Sequence, residues 1–131
     1  MKNRLTIAIQ KNGRLSDQSR DLIKQSGINF TAKGDKLLAK SNNLPIDILF
    51  VRSDDIPSLV SNGDADIAIV GENILIEKSL FKKTNISKVL ELGFSKCRLS
   101  FAAPQNLSMK SVKNKKIATS YPNTVKKYLL D

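Results

Sequence analysis

The stretch DILFVRSDDIPSLVSNGDADIAIVGENIL, residues 47–75, decides the fold. Together with Ile46 it opens on an apolar run to Val51, the pattern of a buried strand, which stops at Arg52-Ser53-Asp54-Asp55-Ile56-Pro57. Ser53 or Asp54 can cap a helix that carries Ile56, Leu59 and Val60 on one side and ends at Asn62-Gly63. A second apolar run, Asp66 to Val70, follows, and Gly71-Glu72-Asn73 turns it into another helix with Ile74, Leu75 and Leu80 inward. Strand, polar turn and helix, repeated in this way, imply a mostly parallel sheet with helices on its faces.

Toward the N-terminus the same unit occurs again. Arg4 to Gln10 reads as a buried strand, Lys11-Asn12-Gly13-Arg14 as a turn, and Ser16-Asp17 as the start of a helix that stops at Gly27, with Leu15, Leu22 and Ile23 on its apolar side. Phe30 and Lys36 to Lys40 suggest two short strands around Lys33-Gly34-Asp35, and Asn42-Asn43-Leu44-Pro45 is a loop. Toward the C-terminus, Val89 to Phe94, Arg98 to Ala103 and Ile117 to Tyr121 read as strands, with Lys110 to Asn114 a polar connector. Pro122 then opens a helix through Val125, Tyr128 and Leu129 that has no glycine stop. The fold class is α/β.

A chain of 131 residues that is 40% apolar and 26% charged has room for one domain, or for one compact domain plus part of another, and is too apolar for disorder. There is no run of eighteen apolar residues and no basic-then-apolar leader, so the expected location is the cytoplasm, with no membrane partner. The single Cys97 excludes an internal disulfide, and with no histidine a protein-built metal site is not expected. The same absence excludes Ser-His and Cys-His catalytic pairs within the chain. Cys97, between Lys96 and Arg98, reads more simply as a buried small hydrophobe than as a reactive thiol.

The net charge of +10 is unevenly spread. Residues 1–91 carry 14 basic and 11 acidic side chains, whereas residues 92–131 carry eight basic ones against Asp131 alone. No aromatic platform is interleaved with the lysines at 110–116, so nucleic acid is not an expected partner.

In open α/β sheets ligands meet the carboxyl ends of the strands, which directs attention to four turns. Lys11 and Arg14 flank Gly13, whose bare backbone and following helix suit a phosphate; a solvated turn with two surface cations would look the same. Arg52 can clamp a phosphate while Asp54 or Asp55 takes hydroxyls, or it can pair with a neighbouring acid beside a capped helix. Gly71 and Glu72 can present a carboxylate to a ribose or an amine, or Glu72 can simply complement a helix dipole. Ser120 and Tyr121 close the fourth turn, where the ring can stack on a base or serve as packing.

Taken together, IAIQKNGRL (7–15), the stretch 47–75, LGFSKCRLSFAAP (92–104) and KIATSYPNTVKKYL (116–129) resemble the N-terminal part of the ATP phosphoribosyltransferase family, the first enzymes of histidine biosynthesis. The resemblance implies transfer of the phosphoribosyl group of phosphoribosyl pyrophosphate to N1 of ATP, with pyrophosphate leaving and Mg2+ carried by the substrates. Arg14 and Arg52 would stabilise charge on the leaving group, Lys11 and Gly13 would support them, and Ser53, Asp54, Gly71, Glu72, Ser120 and Tyr121 would bind substrate. It also implies two lobes of type II periplasmic-binding-protein architecture: residues 1–92 as the first, and residues 93–131 as the beginning of an incomplete second. Assembly into a homo-oligomer, or with a regulatory subunit, is implied too. The family's acidic loop of the form E-x-x-x-T-G-T-T, which grips the ribose phosphate, has no counterpart here, so the expectation is a fragment inactive alone. The competing reading is a small-anion-binding module of the same architecture without catalysis.

Overall fold

A computed structural model describes residues 3–111 and 113–131; Met1, Lys2 and Val112, the last within the Lys110 to Asn114 connector, lie outside the described residues. The elements run β1 (Leu5–Gln10), α1 (Arg14–Gln25), β2 (Leu38–Lys40), β3 (Ile46–Val51), α2 (Ile56–Asn62), β4 (Ile67–Ala68), α3 (Glu72–Phe81) and α4 (Pro122–Leu130). The four strands form one sheet in the order β2-β3-β1-β4. β1 is parallel to both β3 and β4, and β2 is an antiparallel edge on β3. Phe30 joins that edge only through an isolated bridge to Ser41.

The continuous apolar runs of β1 and β3 follow from burial on both faces. Ile7, Ile9, Ile48 and Phe50 point to one side and pack with Ile23 of α1, Phe30 and Ala39. Ala8, with Leu49 and Val51, points to the other and packs against Ile56, Leu59 and Val60 of α2. The two helices thus lie on opposite faces, and β1 and β3 are the interior strands. None of the helices among the described residues is long and apolar enough to cross a membrane.

Several local readings need correction. α1 begins at Arg14 with Gly13 as its cap, not at Ser16. Ser16 and Ser19 are buried with Ile23 on the sheet-facing side, whereas Leu15 and Leu22 are half-buried; the small serines allow the helix to approach closely. Neither Ser53 nor Asp54 caps α2: they form a 3-10 turn, Ser53–Asp55, that runs straight into it. The strand expected at Asp66 to Val70 shortens to Ile67–Ala68, although the Ile69 amide still donates to the Ala8 carbonyl at 3.0 Å. In α3, Ile74 is buried and Leu75 half-buried, but Leu80 is exposed and Glu77 is buried in its stead.

The largest correction concerns residues 83–121. The strands read at Val89 to Phe94, Arg98 to Ala103 and Ile117 to Tyr121 do not form. A strand exists only where a neighbour accepts its ladder, and the loop bonds here are local, Leu107 to Pro104 and Ser111 to Ser108. Val89, Leu90, Leu99 and Phe101 are exposed accordingly, and so is Cys97. α4 does form, with Pro122 in its first turn as expected, and it packs on α3.

Candidate functional site

Register brings three of the four turns to one edge of the sheet. Gln10 pairs with Val51, and the Lys11 amide donates to the Val51 carbonyl at 2.8 Å, so Lys11 and Arg52 leave the sheet side by side. Ile7 and Ala8 pair with Ile67 and Ala68, and extending that register sets Gly71 level with Lys11. The chain leaves β1 toward β3 and later crosses to β4 on the other side. The order reversal therefore falls between β1 and β4, the crevice where such sheets receive ligands.

The first turn is rigidly built. Gly13 has a φ of 95°, a left-handed conformation that a side chain resists, and a Cβ there would stand 3.3 Å from Gln10 Nε2. That amide donates to the Asn12 carbonyl at 2.6 Å. Ser16 Oγ donates to the Lys11 carbonyl at 3.0 Å, Arg20 Nε donates to Ser16 Oγ at 3.2 Å, and the Arg20 guanidinium lies 4.2 Å from the centre of the Phe50 ring. Arg14 is exposed in the first turn of α1, and among the described residues no side chain caps the amides there. Lys11 Nζ stands 3.4 Å from Asp35, itself fully exposed.

At the second turn Arg52 is exposed and in no ion pair with another described residue, so the reading that tied it to a neighbouring acid does not hold. Ser53 beside it is half-buried and Asp54 exposed. At the third, Gly71 caps α3, and a Cβ on it would come within 2.5 Å of Asn73 Oδ1, so only glycine lets that side chain fold over the turn. Glu72 accepts from Lys88 Nζ at 2.9 Å, and Lys88 also reaches Glu91 at 2.7 Å. The bonds to Glu91 and then Glu72 raise the Lys88 pKa above its ordinary value, and the same bond lowers that of Glu91.

The fourth turn reaches this edge by docking. Asn73 Nδ2 donates to the Tyr121 hydroxyl at 2.9 Å. Glu77 receives the Asn123 amide at 2.9 Å, the Thr124 amide at 2.8 Å and the Thr124 hydroxyl at 2.7 Å. Burial works to raise the Glu77 pKa, but these bonds outweigh it and hold the carboxyl below its ordinary value. A groove of about 300 Å³ results, with Asp54, Ile74, Glu77, Phe81, Ser120 and Tyr121 in its walls. Asp54, Ser120 and Tyr121 are therefore brought together, while Lys11, Gly13, Arg14, Arg52, Ser53, Gly71 and Glu72 stand outside this groove on the neighbouring turns.

Sequence reasoning named Asn73 only as part of a turn, with no role of its own, and passed over Glu77 and Lys88. Glu77 carried a signal nonetheless: it lies three residues after Ile74 on the inward face, where an acid needs buried donors. Gln18 of α1 likewise meets Ser95 through a hydrogen bond between their side chains, a further link from the later segment to the sheet and its helices.

Comparison with known proteins bears on these turns. The family model for ATP phosphoribosyltransferase matches residues 52–131. A protein of Cytophaga hutchinsonii named ATP phosphoribosyltransferase is 45% identical over 130 residues, 97% of this chain and 44% of that protein. Among solved structures, the ATP phosphoribosyl transferase (HisG:HisZ) complex from Thermotoga maritima is similar with a TM-score of 0.49 and 32% identity, over 57% of this chain and 35% of that one. The chain thus spans less than half the length of the curated relative it matches. With the family match running from Arg52 through the Tyr121 turn, and the identity extending over nearly the whole chain, this chain belongs to the ATP phosphoribosyltransferase family.

Proposed function

We propose that these turns form part of a site that transfers the phosphoribosyl group of phosphoribosyl pyrophosphate to N1 of ATP, releasing pyrophosphate and making phosphoribosyl-ATP for histidine biosynthesis. The observation that carries the reading is the shared edge: Lys11 and Arg52 emerge side by side from paired strands, with Arg14 at an uncapped helix start beside them. Departure of pyrophosphate builds negative charge, which cations beside a helix N-terminus can stabilise. Arg14 and Arg52 take that role. Lys11 supports them, and Gly13 admits the phosphate to the backbone.

Ser53, Asp54, Gly71, Glu72, Ser120 and Tyr121 bind the nucleotide and ribose. Mg2+ comes in on the phosphates of the substrates. The proposal extends to two lobes of type II periplasmic-binding-protein architecture, 1–92 and the beginning of a second at 93–131. Support for the first comes from the single sheet between Leu5 and Ala68. A cytoplasmic setting, and assembly as a homo-oligomer or with a regulatory subunit, complete the reading.

The test is calorimetric titration of ATP with magnesium into the chain and into a folded double variant, Arg14→Ala with Arg52→Ala. The variant should lose at least about tenfold in affinity, as removal of charge-assisted phosphate contacts implies. Undiminished binding would break the assignment.

A further inference from the structure

α4 has no capping side chain of its own. Pro122 at its start carries no N–H, so the amides of Asn123 and Thr124 are among the first that need acceptors, and both are taken by Glu77 of α3. One turn earlier on the same face of α3, Asn73 holds the Tyr121 hydroxyl. Glu77 is only 7% exposed, and each of its oxygens is engaged, one by the Asn123 amide and the other by both Thr124 donors.

The charge matters as well as the shape. Three donors converge on two oxygens, and a glutamine of the same size would set its own NH2 against at least one of them. An anion at a helix start is also favoured by the helix dipole.

We infer that Glu77 is a positioning residue: its carboxylate seats α4 on α3 and thereby holds Ser120 and Tyr121 opposite Asp54 across the groove. The functional meaning rests on the nucleotide reading of those residues; the clamp itself does not. Lys78 on α3, with Asp54 and Tyr121, faces the same groove, while Lys126, Lys127 and Asp131 line the adjoining one with Leu80. The bonds from Asn123 and Thr124, rather than these charges, hold the carboxyl below its ordinary value against the opposing effect of burial.

A carboxyl held below its ordinary value stabilises docking above that value, and the contribution disappears as pH falls through the lowered one. The test follows the whole chain by amide NMR and hydrogen exchange. In the wild type the Asn123 and Thr124 amides should shift together in acid, with a midpoint below the ordinary glutamate value of 4.5, as α4 loses protection and β1 and β3 keep theirs. Glu77→Gln should speed α4 exchange at pH 7 by about tenfold or more, as loss of a charged acceptor implies, and abolish the acid step. Thr124→Val keeps the carboxylate, so it should speed exchange less and retain the step.

Where the wild type binds ATP with magnesium, Glu77→Gln should weaken that binding several-fold with β1 and β3 exchange unaltered. Unchanged α4 exchange in Glu77→Gln overturns the inference, as does a released α4 with undiminished nucleotide affinity. A wild type that binds no ATP counts against the nucleotide reading alone, and α4 exchange then decides the clamp.

Discussion

Phe50 and Phe101 sit in stretches of similar local character and have opposite fates. Phe50, in β3, is 1% exposed, 6.2 Å from the Phe30 ring and covered by Arg20. Phe101 is 43% exposed in a segment with no ladder, touching only the Tyr128 ring, 5.7 Å away, among the aromatics. Apolar, β-prone residues thus become a strand where parallel neighbours take their backbone bonds, as β1 does for β3, and remain extended loop where none does. The lesson is that pairing, rather than local preference, separates residues 3–81 from residues 83–121.

The sharpest way to break that contrast is truncation on each side of it. Phe50→Ala should cost about 3–5 kcal/mol in urea unfolding, the range for a buried aromatic, whereas Phe101→Ala should cost less than about 1 kcal/mol. Equal losses would mean that the later segment is packed more like the sheet than its exposure indicates. Hydrogen exchange sharpens the boundary further: β1 and β3 amides should exchange only through global unfolding, and those of residues 83–108 near the rate of an open chain.

Next in size is the joint between the two regions. Gly71→Ala would push Asn73 off its position and deprive the Tyr121 hydroxyl of its donor, at a cost of about 1 kcal/mol to α4 docking, visible as a Tyr121 ring shift in NMR. An unshifted ring would show that Asn73 accommodates the methyl group without releasing Tyr121. The smallest effect belongs to Lys88→Met. Its ion pairs with Glu72 and Glu91 are open to water, so the urea midpoint should stay where it is.

Much of residues 3–81 was legible because burial on both faces writes itself into the sequence. The apolar runs of β1 and β3 and the Gly63 stop of α2 all stand where expected. Helix starts were less legible: Ser16 could equally cap a helix or brace a turn from inside it, and the carbonyl of Lys11 decides between them. The cations at the sheet edge were visible as turn residues, but their adjacency depends on the pairing of Gln10 with Val51, which no local pattern contains. For Glu77 the inward position on α3 hints at buried donors, but which donors they are depends on residues 46 and 47 positions away.

Arg20 adds a thermodynamic consequence. Its guanidinium bridges the Phe50 ring in the core and Ser16, which in turn braces the Lys11 carbonyl behind the proposed phosphate turn. Occupancy of that turn and melting of the sheet are therefore linked, and a ligand held at one hundred times its Kd should raise the unfolding free energy by about 2.7 kcal/mol. Arg20→Lys would keep the charge but lose the flat stacking surface. Heat resistance would then fall both with and without ligand, making a melting curve a direct reporter of what this edge of the sheet recognises.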